Sequence, residues 1–321
     1  MKVYPLKFAP LFKEKVWGGR KLARVLGKSL PTEQPIGESW EISGYGDDVS
    51  IVANGPYQGM GLHRMAADFG DALLGTDVSP GRFPLLFKFV DATDRLSVQV
   101  HPDDAYARRT EHGALGKTEA WVIVDARPGA RLVRGLEPGV EAETFRRAVE
   151  EGHIEKILHW IEVSPGDVIF VPAGQVHAIG AGILLYEVQQ SSDVTYRVYD
   201  WGRPRPLHVE KALEVTRFET LPDLVEGIQV EEDGGTRTAL VSCPYFSVVR
   251  LDVRSSMENQ CDGRSFHVLS VLDGRGEIRW GAHQPMPIER GESLLLPAQL
   301  GAYEVSGNVL VIRTCVPSGE W

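Results

Sequence analysis

Cysteine is scarce in this chain of 321 residues: there are three, Cys243, Cys261 and Cys315, all in the last third and none in a metal-type pair. An odd, widely spaced set does not make a disulfide framework and fits the reduced thiols of a cytoplasmic protein. Long apolar runs are missing as well. No stretch approaches the roughly 18 consecutive apolar residues of a membrane span, and the first residues carry neither an apolar signal core nor a small-residue cleavage site. The expectation is therefore a cytoplasmic protein, neither membrane-spanning nor secreted. Positive charge is in deficit too, with a formal net charge of −10, which argues against a nucleic acid or an anionic membrane as partner, because both select basic surfaces. A small anionic substrate stays open, provided a few lysines and arginines gather in one pocket.

What the chain does have is a hydrophobic fraction of 43%, enough for a substantial core in one large or two ordinary domains. Much of it lies in short β-branched runs punctuated by Gly and Pro, at residues 85–90, 96–100, 121–124, 167–171, 183–189, 247–253, 266–272, 293–297 and 308–312. Such spacing indicates a mainly β protein, a sandwich or barrel. Helical periodicity is confined to residues 62–74, 103–111, 141–160 and 209–218, the third with Gly152 as its break. A weak repeat adds to this picture: Gly166, Asp167, four apolar residues, Pro172 and Ala173 are echoed by Gly291, Glu292, four residues, Pro297 and Ala298. Two copies of one β fold are expected, residues 1–229 with the helical segments and residues 230–321 as a degenerate copy. The acidic, Gly-rich residues 230–236 are the candidate link.

The first copy continues through Gly174 to His177, so the pattern is Gly, five residues, Pro, one residue, Gly, two residues, His. That spacing matches the second cupin motif. A buried strand followed by a bend at Pro172 and Gly174 would aim His177 into a barrel, where a rigid strand makes it a good metal ligand. Upstream, Gln99 and His101 are separated by one residue and so face the same side of a strand. Glu119 follows at the start of the next apolar run. Two imidazoles, one carboxylate and one amide oxygen make a borderline-hard site with room for solvent, the character of a catalytic zinc. The second copy has Gln299 in place of the glycine and no following histidine, and is expected to bind no metal.

These residues resemble a type I mannose-6-phosphate isomerase in its short bacterial form, a double cupin of jelly-roll barrels. The resemblance covers nearly the whole chain and is carried by residues 17–19, 36–41, 86–88, 96–104, 116–121 and 172–180, with Ser192, Asp193 and Arg197. It implies one Zn²⁺ per chain on Gln99, His101, Glu119 and His177, an active-site arginine at Arg197, and a pocket lined by Lys88, Lys117, Glu38 and Trp17. It also implies a phosphosugar substrate and interconversion of mannose 6-phosphate and fructose 6-phosphate through an enediolate. One departure is Gln175, where relatives commonly have a small hydroxyl residue.

For the proton transfer between C2 and C1, Lys117 and Asp193 compete. Lys117 stands two residues before Glu119, so both would face the cavity. Arg197 would stabilise negative charge or orient the sugar, its bland alternative being an ion pair with Asp193 at four-residue spacing. Lys88 and Arg20 are the cations left for the phosphate; alternatively, Lys88 is a strand-end lysine whose charge reaches solvent and Arg20 a surface charge. Three other activities remain compatible: an isomerase of another phosphosugar, a metal dioxygenase, and a sugar-binding protein without turnover.

Overall fold

The molecule, a computed structural model describing residues 1–317, is mainly β. Its strands form three antiparallel sheets stacked in layers rather than separately closed barrels. The middle sheet has the order Val168–Val171, Glu119–Ala126, Ile183–Gln190, Leu85–Ala92, Ile36–Tyr45, Leu11–Gly19, with Asp48–Val49 off Ile36–Tyr45. On one side lies a five-stranded sheet, Leu158–Glu162, Arg131–Leu136, His177–Ala178, Val98–Val100, Tyr196–Tyr199. On the other lies a ten-stranded sheet built mainly from residues beyond Ile228. The helices Asp104–Thr110, Ala142–Glu150 and Val209–Val215 cover the outer face of the five-stranded sheet through Tyr106, Phe145 and Ala212. No helix among the described residues is long and apolar enough to cross a membrane.

Being sandwiched explains why the central strands read as unbroken apolar runs. Every residue of Leu85–Ala92 and of Ile183–Gln190 is buried, because both faces of this sheet are covered. The period of two still sorts them. Leu85, Phe87, Phe89, Leu184, Tyr186 and Val188 pack toward the ten-stranded sheet, whereas Val90, Ala92, Ile183 and Leu185 pack toward the five-stranded one. Lys88 and Glu187 belong to the second set. Lys88 and Glu187, charges within apolar strands, thus land on the face that encloses a cavity.

The apolar runs of the sequence become strands, Ser247–Val253 with both ends where the pattern puts them. Residues 141–160 differ: after the helix, Gly152 takes a left-handed φ of 71°, and a 3₁₀ turn Ile154–Ile157 leads into the strand Leu158–Glu162. There Leu158 and Ile161 pack into cores on opposite faces of the sheet, a spacing that imitates a helical step. Strand pairing also crosses the expected division of the chain. Leu6–Ala9 is hydrogen-bonded to Ser293–Leu296 within the ten-stranded sheet, and Ile228–Glu232 spans residues 229 and 230.

Candidate active site and metal centre

Two rows of polar residues face each other between the middle and five-stranded sheets. On the middle sheet the register aligns Trp40, Lys88, Glu187 and Trp121 across four strands. On the five-stranded sheet it aligns Arg134, His177, Gln99 and Arg197. Cross-strand register therefore assembles the site from segments more than a hundred residues apart. A cavity of about 300 Å³ opens here, lined among others by Trp17, Glu38, Lys88, Gln99, Lys117, Trp121, Glu187, Asp193, Arg197 and Arg205.

His101, Glu119 and His177, each about 1% exposed, lie buried behind two of its lining residues, Gln99 and Lys117, and their ligand-type atoms are within 4.8 Å of one another. Nε2 of His101 lies 3.5 Å from Glu119 Oε1, and Nε2 of His177 lies 3.9 Å from Glu119 Oε2. Each ring donates its other nitrogen's proton to a backbone carbonyl, His101 Nδ1 to Val194 at 2.7 Å and His177 Nδ1 to Gln175 at 2.8 Å. That fixes the tautomers and turns both Nε2 lone pairs inward, the outer-shell arrangement of metal-bound histidine. Glu119 Oε2 is buried without a hydrogen-bond partner, a costly state that a cation would relieve. The Gln99 amide is 3.3 Å from His177 Nε2, near enough for its oxygen to join after a half-turn of the amide.

Charge is balanced tightly. Burial, then the charges of Lys117 and His177, hold the His101 pKa well below 6.5, and burial takes His177 down to about 4 against the pull of Glu119. Neutral imidazole is the state that binds metal. Burial would raise the Glu119 carboxyl, but Lys117 and His177 outweigh it and leave the pKa lowered. Glu187 is the reverse case: burial and then the Glu119 charge raise it, against Lys88 and Lys117. Lys117 Nζ sits within the cluster, bonded to Glu119 Oε1 and 3.2 Å from His101 Nε2.

The residues expected at this site are brought together with one exception. Lys88 is 4% exposed and lies mid-strand, its Nζ 3.3 Å from Glu187 and 4.9 Å from the Trp40 ring, so it is not a strand-end lysine reaching solvent. Burial lowers its pKa, but Glu187, Glu38, Asp193 and Glu119 outweigh that and leave it raised. Glu38 accepts from Trp40 Nε1 at 2.7 Å. Trp17 and Trp121 line the cavity while packing in the core behind it. Arg197 makes no ion pair with Asp193 among the described residues: it is on a strand, where a four-residue spacing does not bring side chains together. Its Nη1 donates to Pro206 O, and its buried Nε is unpartnered. Arg20 is the exception. It does not line the cavity and instead donates to the carbonyls of Thr32 and Gln34 beside Glu33.

Sequence reasoning missed Glu187, Arg134, Lys15 and Arg205. Glu187 had a readable signal, one carboxylate in a run of apolar residues; it accepts from Trp121 Nε1 at 2.9 Å and so ties the two central strands to Lys88. Arg134 is 5% exposed with Nε and Nη1 unpartnered, and burial brings its pKa down to about 10. Lys15 and Arg205 stand at the cavity wall with no motif around them; Arg205 is clamped by both oxygens of Asp200.

The chain matches the family model of the phosphomannose isomerase type I catalytic domain over residues 6–118 and that of the mannose-6-phosphate isomerase cupin domain over residues 236–316. It is 38% identical to the mannose-6-phosphate isomerase ManA of Bacillus subtilis over 96% of this chain and 97% of that one. It is also 38% identical to the mannose-6-phosphate isomerase of Streptococcus mutans, over 97% and 98% of the two chains. The crystal structure of the Bacillus subtilis mannose 6-phosphate isomerase superposes with a TM-score of 0.90 at 35% identity, covering 97% of this chain and 99% of that one. With its two matched domains in the same order and its full length aligned, the chain belongs to the type I mannose-6-phosphate isomerase family.

Proposed function

We propose that this protein interconverts mannose 6-phosphate and fructose 6-phosphate in the cytoplasm, with one Zn²⁺ held by His101, Glu119, His177 and Gln99. The observation that carries the reading is the buried His101, Glu119 and His177 cluster in contact with Gln99 and Lys117 of a cation-lined cavity, in a chain alignable end to end with isomerases of this name. The donor set suits a catalytic zinc, and when bound such an ion polarises sugar oxygens as a Lewis acid.

The chain's own groups supply the rest. Isomerisation moves a proton from C2 to C1 of the open-chain sugar and a proton between O1 and O2, through an enediolate. Lys117, buried among the ligand atoms, is placed to hold and pass the proton; Asp193 is exposed at the wall and serves the sugar's periphery. Arg197, with its unpartnered Nε, stabilises the anionic oxygen, since a guanidinium keeps its proton. Glu187 positions Lys88 and Trp121 beneath the sugar. Lys15 and Arg205, also at the cavity wall, are the cations left for the phosphate, which relieves Arg20 of that role.

Conversion of mannose 6-phosphate by purified protein should stop on chelation and return with zinc. Turnover of glucose 6-phosphate at a comparable rate would redirect the assignment to another phosphosugar, and no turnover with zinc, iron or manganese would overturn it.

A further inference from the structure

A second cleft, which shares no lining residue with the catalytic cavity, lies at the seam between the middle and ten-stranded sheets. It measures about 700 Å³ and is lined by Lys7, Arg24, Lys28, Arg275 and Arg290 against Glu41, Glu289 and Glu292. A surplus of cations is unexpected on a chain with a net charge of −10. Three of the five are engaged. Lys28 is buried against both oxygens of Glu41 at 2.8 and 2.9 Å and donates to Gly291 O, Lys7 pairs with Glu292 at 2.6 Å, and Arg290 reaches Asp273 at 3.5 Å. The side chains of Arg24 and Arg275 are exposed and have no hydrogen-bond or ion-pair partner among the described residues, and Glu289, directly across the ladder from Arg275, forms no ion pair with it. Phe8, Pro10, Val25 and Leu26 supply apolar wall between them. Volume, apolar wall and a few convergent polar groups are what a small-molecule site requires.

We infer that this seam is an effector site for a small organic phosphate carrying two anionic ends, one for each of Arg24 and Arg275. A guanidinium fork takes a phosphate or carboxylate through paired hydrogen bonds, and the cleft has room for the carbon skeleton between them.

The site is wired to the catalytic cavity by two segments. The strand Ile36–Tyr45 carries Glu38 into the catalytic cavity and Glu41 into the seam. The other segment runs from Trp17, in the catalytic wall, to Arg24 and Lys28 in the seam. It is pinned between them by Lys21, whose backbone N–H donates to Asp91 and whose Nζ contacts Asp125 and Gly182 O. A ligand that orders Arg24 therefore pulls on the chain that sets Trp17.

The probe is 3-phosphoglycerate, titrated calorimetrically into the holoenzyme, the double variant Arg24→Ala/Arg275→Ala and the single variant Arg205→Ala. Binding should weaken at least tenfold in the double variant, persist in Arg205→Ala, and change the initial isomerase rate of the wild type but not of the double variant by at least twofold. Because Arg24 and Arg275 are exposed and unpaired, the double variant should melt with the wild type. No binding, binding that survives in the double variant, or binding without a rate change would each overturn the inference. The calorimetric arm needs no turnover, so a failure of the isomerase reading is told apart from a failure of the seam site.

Discussion

Residues 166–177 and residues 291–301 begin alike. Gly166 and Gly291 both turn with a left-handed φ, 95° and 86°, and both lead into a four-residue buried strand, Val168–Val171 and Ser293–Leu296. They part after the proline. In the first, Gly174 takes a φ of 88° with its N–H on His101 O, and a side chain there would meet Val215 O at 2.8 Å and Arg217. That bend delivers His177 to Glu119. In the second, Ala298–Leu300 winds into a 3₁₀ turn, and no left-handed residue appears until Gly301. Its interior is filled instead by Leu294, Leu295 and Leu296, each fully buried, and by Ser293 bonded to Ser270, which in turn donates to Tyr186 of the middle sheet. The same strand and turn thus serve as a ligand arm in one half and as core in the other.

The contrast is broken most forcefully at the ligands. Loss of an outer-shell partner of a metal typically costs about 10–100-fold in affinity or activity, so His101→Ala and His177→Ala, which remove ligands themselves, should lose more than about 100-fold in activity and most of the bound zinc. Metal content by emission spectroscopy alongside turnover checks both, and a zinc-replete, active His177→Ala would refute the ligand assignment. Arg197→Ala should follow, lowering kcat by about 10²–10³-fold, the usual effect of removing one preorganised charge stabiliser, while leaving metal content intact. A rise in KM at unchanged kcat would instead assign Arg197 to binding alone.

In the C-terminal half the large effect should be on stability. Leu295 sits between Leu6 and Val268 in the ladder with no exposed surface. Leu295→Ala should cost about 2–5 kcal/mol by urea denaturation, with kcat below the melting range unaltered. Because Leu6 comes from the chain's start, that loss would report on both halves together, and two separate unfolding transitions would contradict the shared sheet.

A titration sharpens the comparison further. His267, in the C-terminal half, donates or accepts with Tyr303 Oη at 2.8 Å, and burial takes its pKa down to about 3. The unfolded chain binds a proton near 6.5 while the native ring stays neutral, so stability is complete above about 6.5 and is lost as pH falls toward 3. At about 1.4 kcal/mol per pH unit this is worth a few kcal/mol, ~3–5. His267→Asn should flatten the decline in urea midpoint between pH 6.5 and 4. An unchanged slope would place the acid sensitivity elsewhere.

What was legible in the sequence follows from how local each feature is. His177 was readable because Gly166, Pro172 and Gly174 lie within one strand and turn, and Gln99 with His101 because alternation needs only three residues. Glu119 and Lys117 needed only the strand that follows. Arg134 and Lys15 reach the site through pairing between strands separated in the chain, and Arg205 through a loop held by Asp200, none of which leaves a trace in local pattern. For the same reason Leu6–Ala9 gave no sign of joining the C-terminal sheet. The helical reading of residues 141–160 failed past Gly152 because Ile154 and Ile157, in a 3₁₀ turn, keep a three-residue step, and Leu158 opens a strand directly after them.

The smallest effect separates Arg20, which the sequence puts forward for the phosphate, from Arg205, which it does not. Arg20 spends its guanidinium on the carbonyls of Thr32 and Gln34, holding the segment after the helix Lys21–Arg24, and faces away from the cavity wall. Arg205 lines that wall, and its bidentate grip on Asp200 leaves Nη1 outside the pair. Arg205→Ala should therefore raise KM for mannose 6-phosphate about tenfold or more, the worth of one charge-assisted contact of roughly 1.5–3 kcal/mol. Arg20→Ala should leave KM within about twofold and lower the melting temperature slightly through two lost carbonyl contacts. Steady-state kinetics on the two variants decides the matter: if Arg20→Ala raises KM and Arg205→Ala does not, the phosphate lies on the Arg20 side and the cavity wall has been assigned the wrong way round.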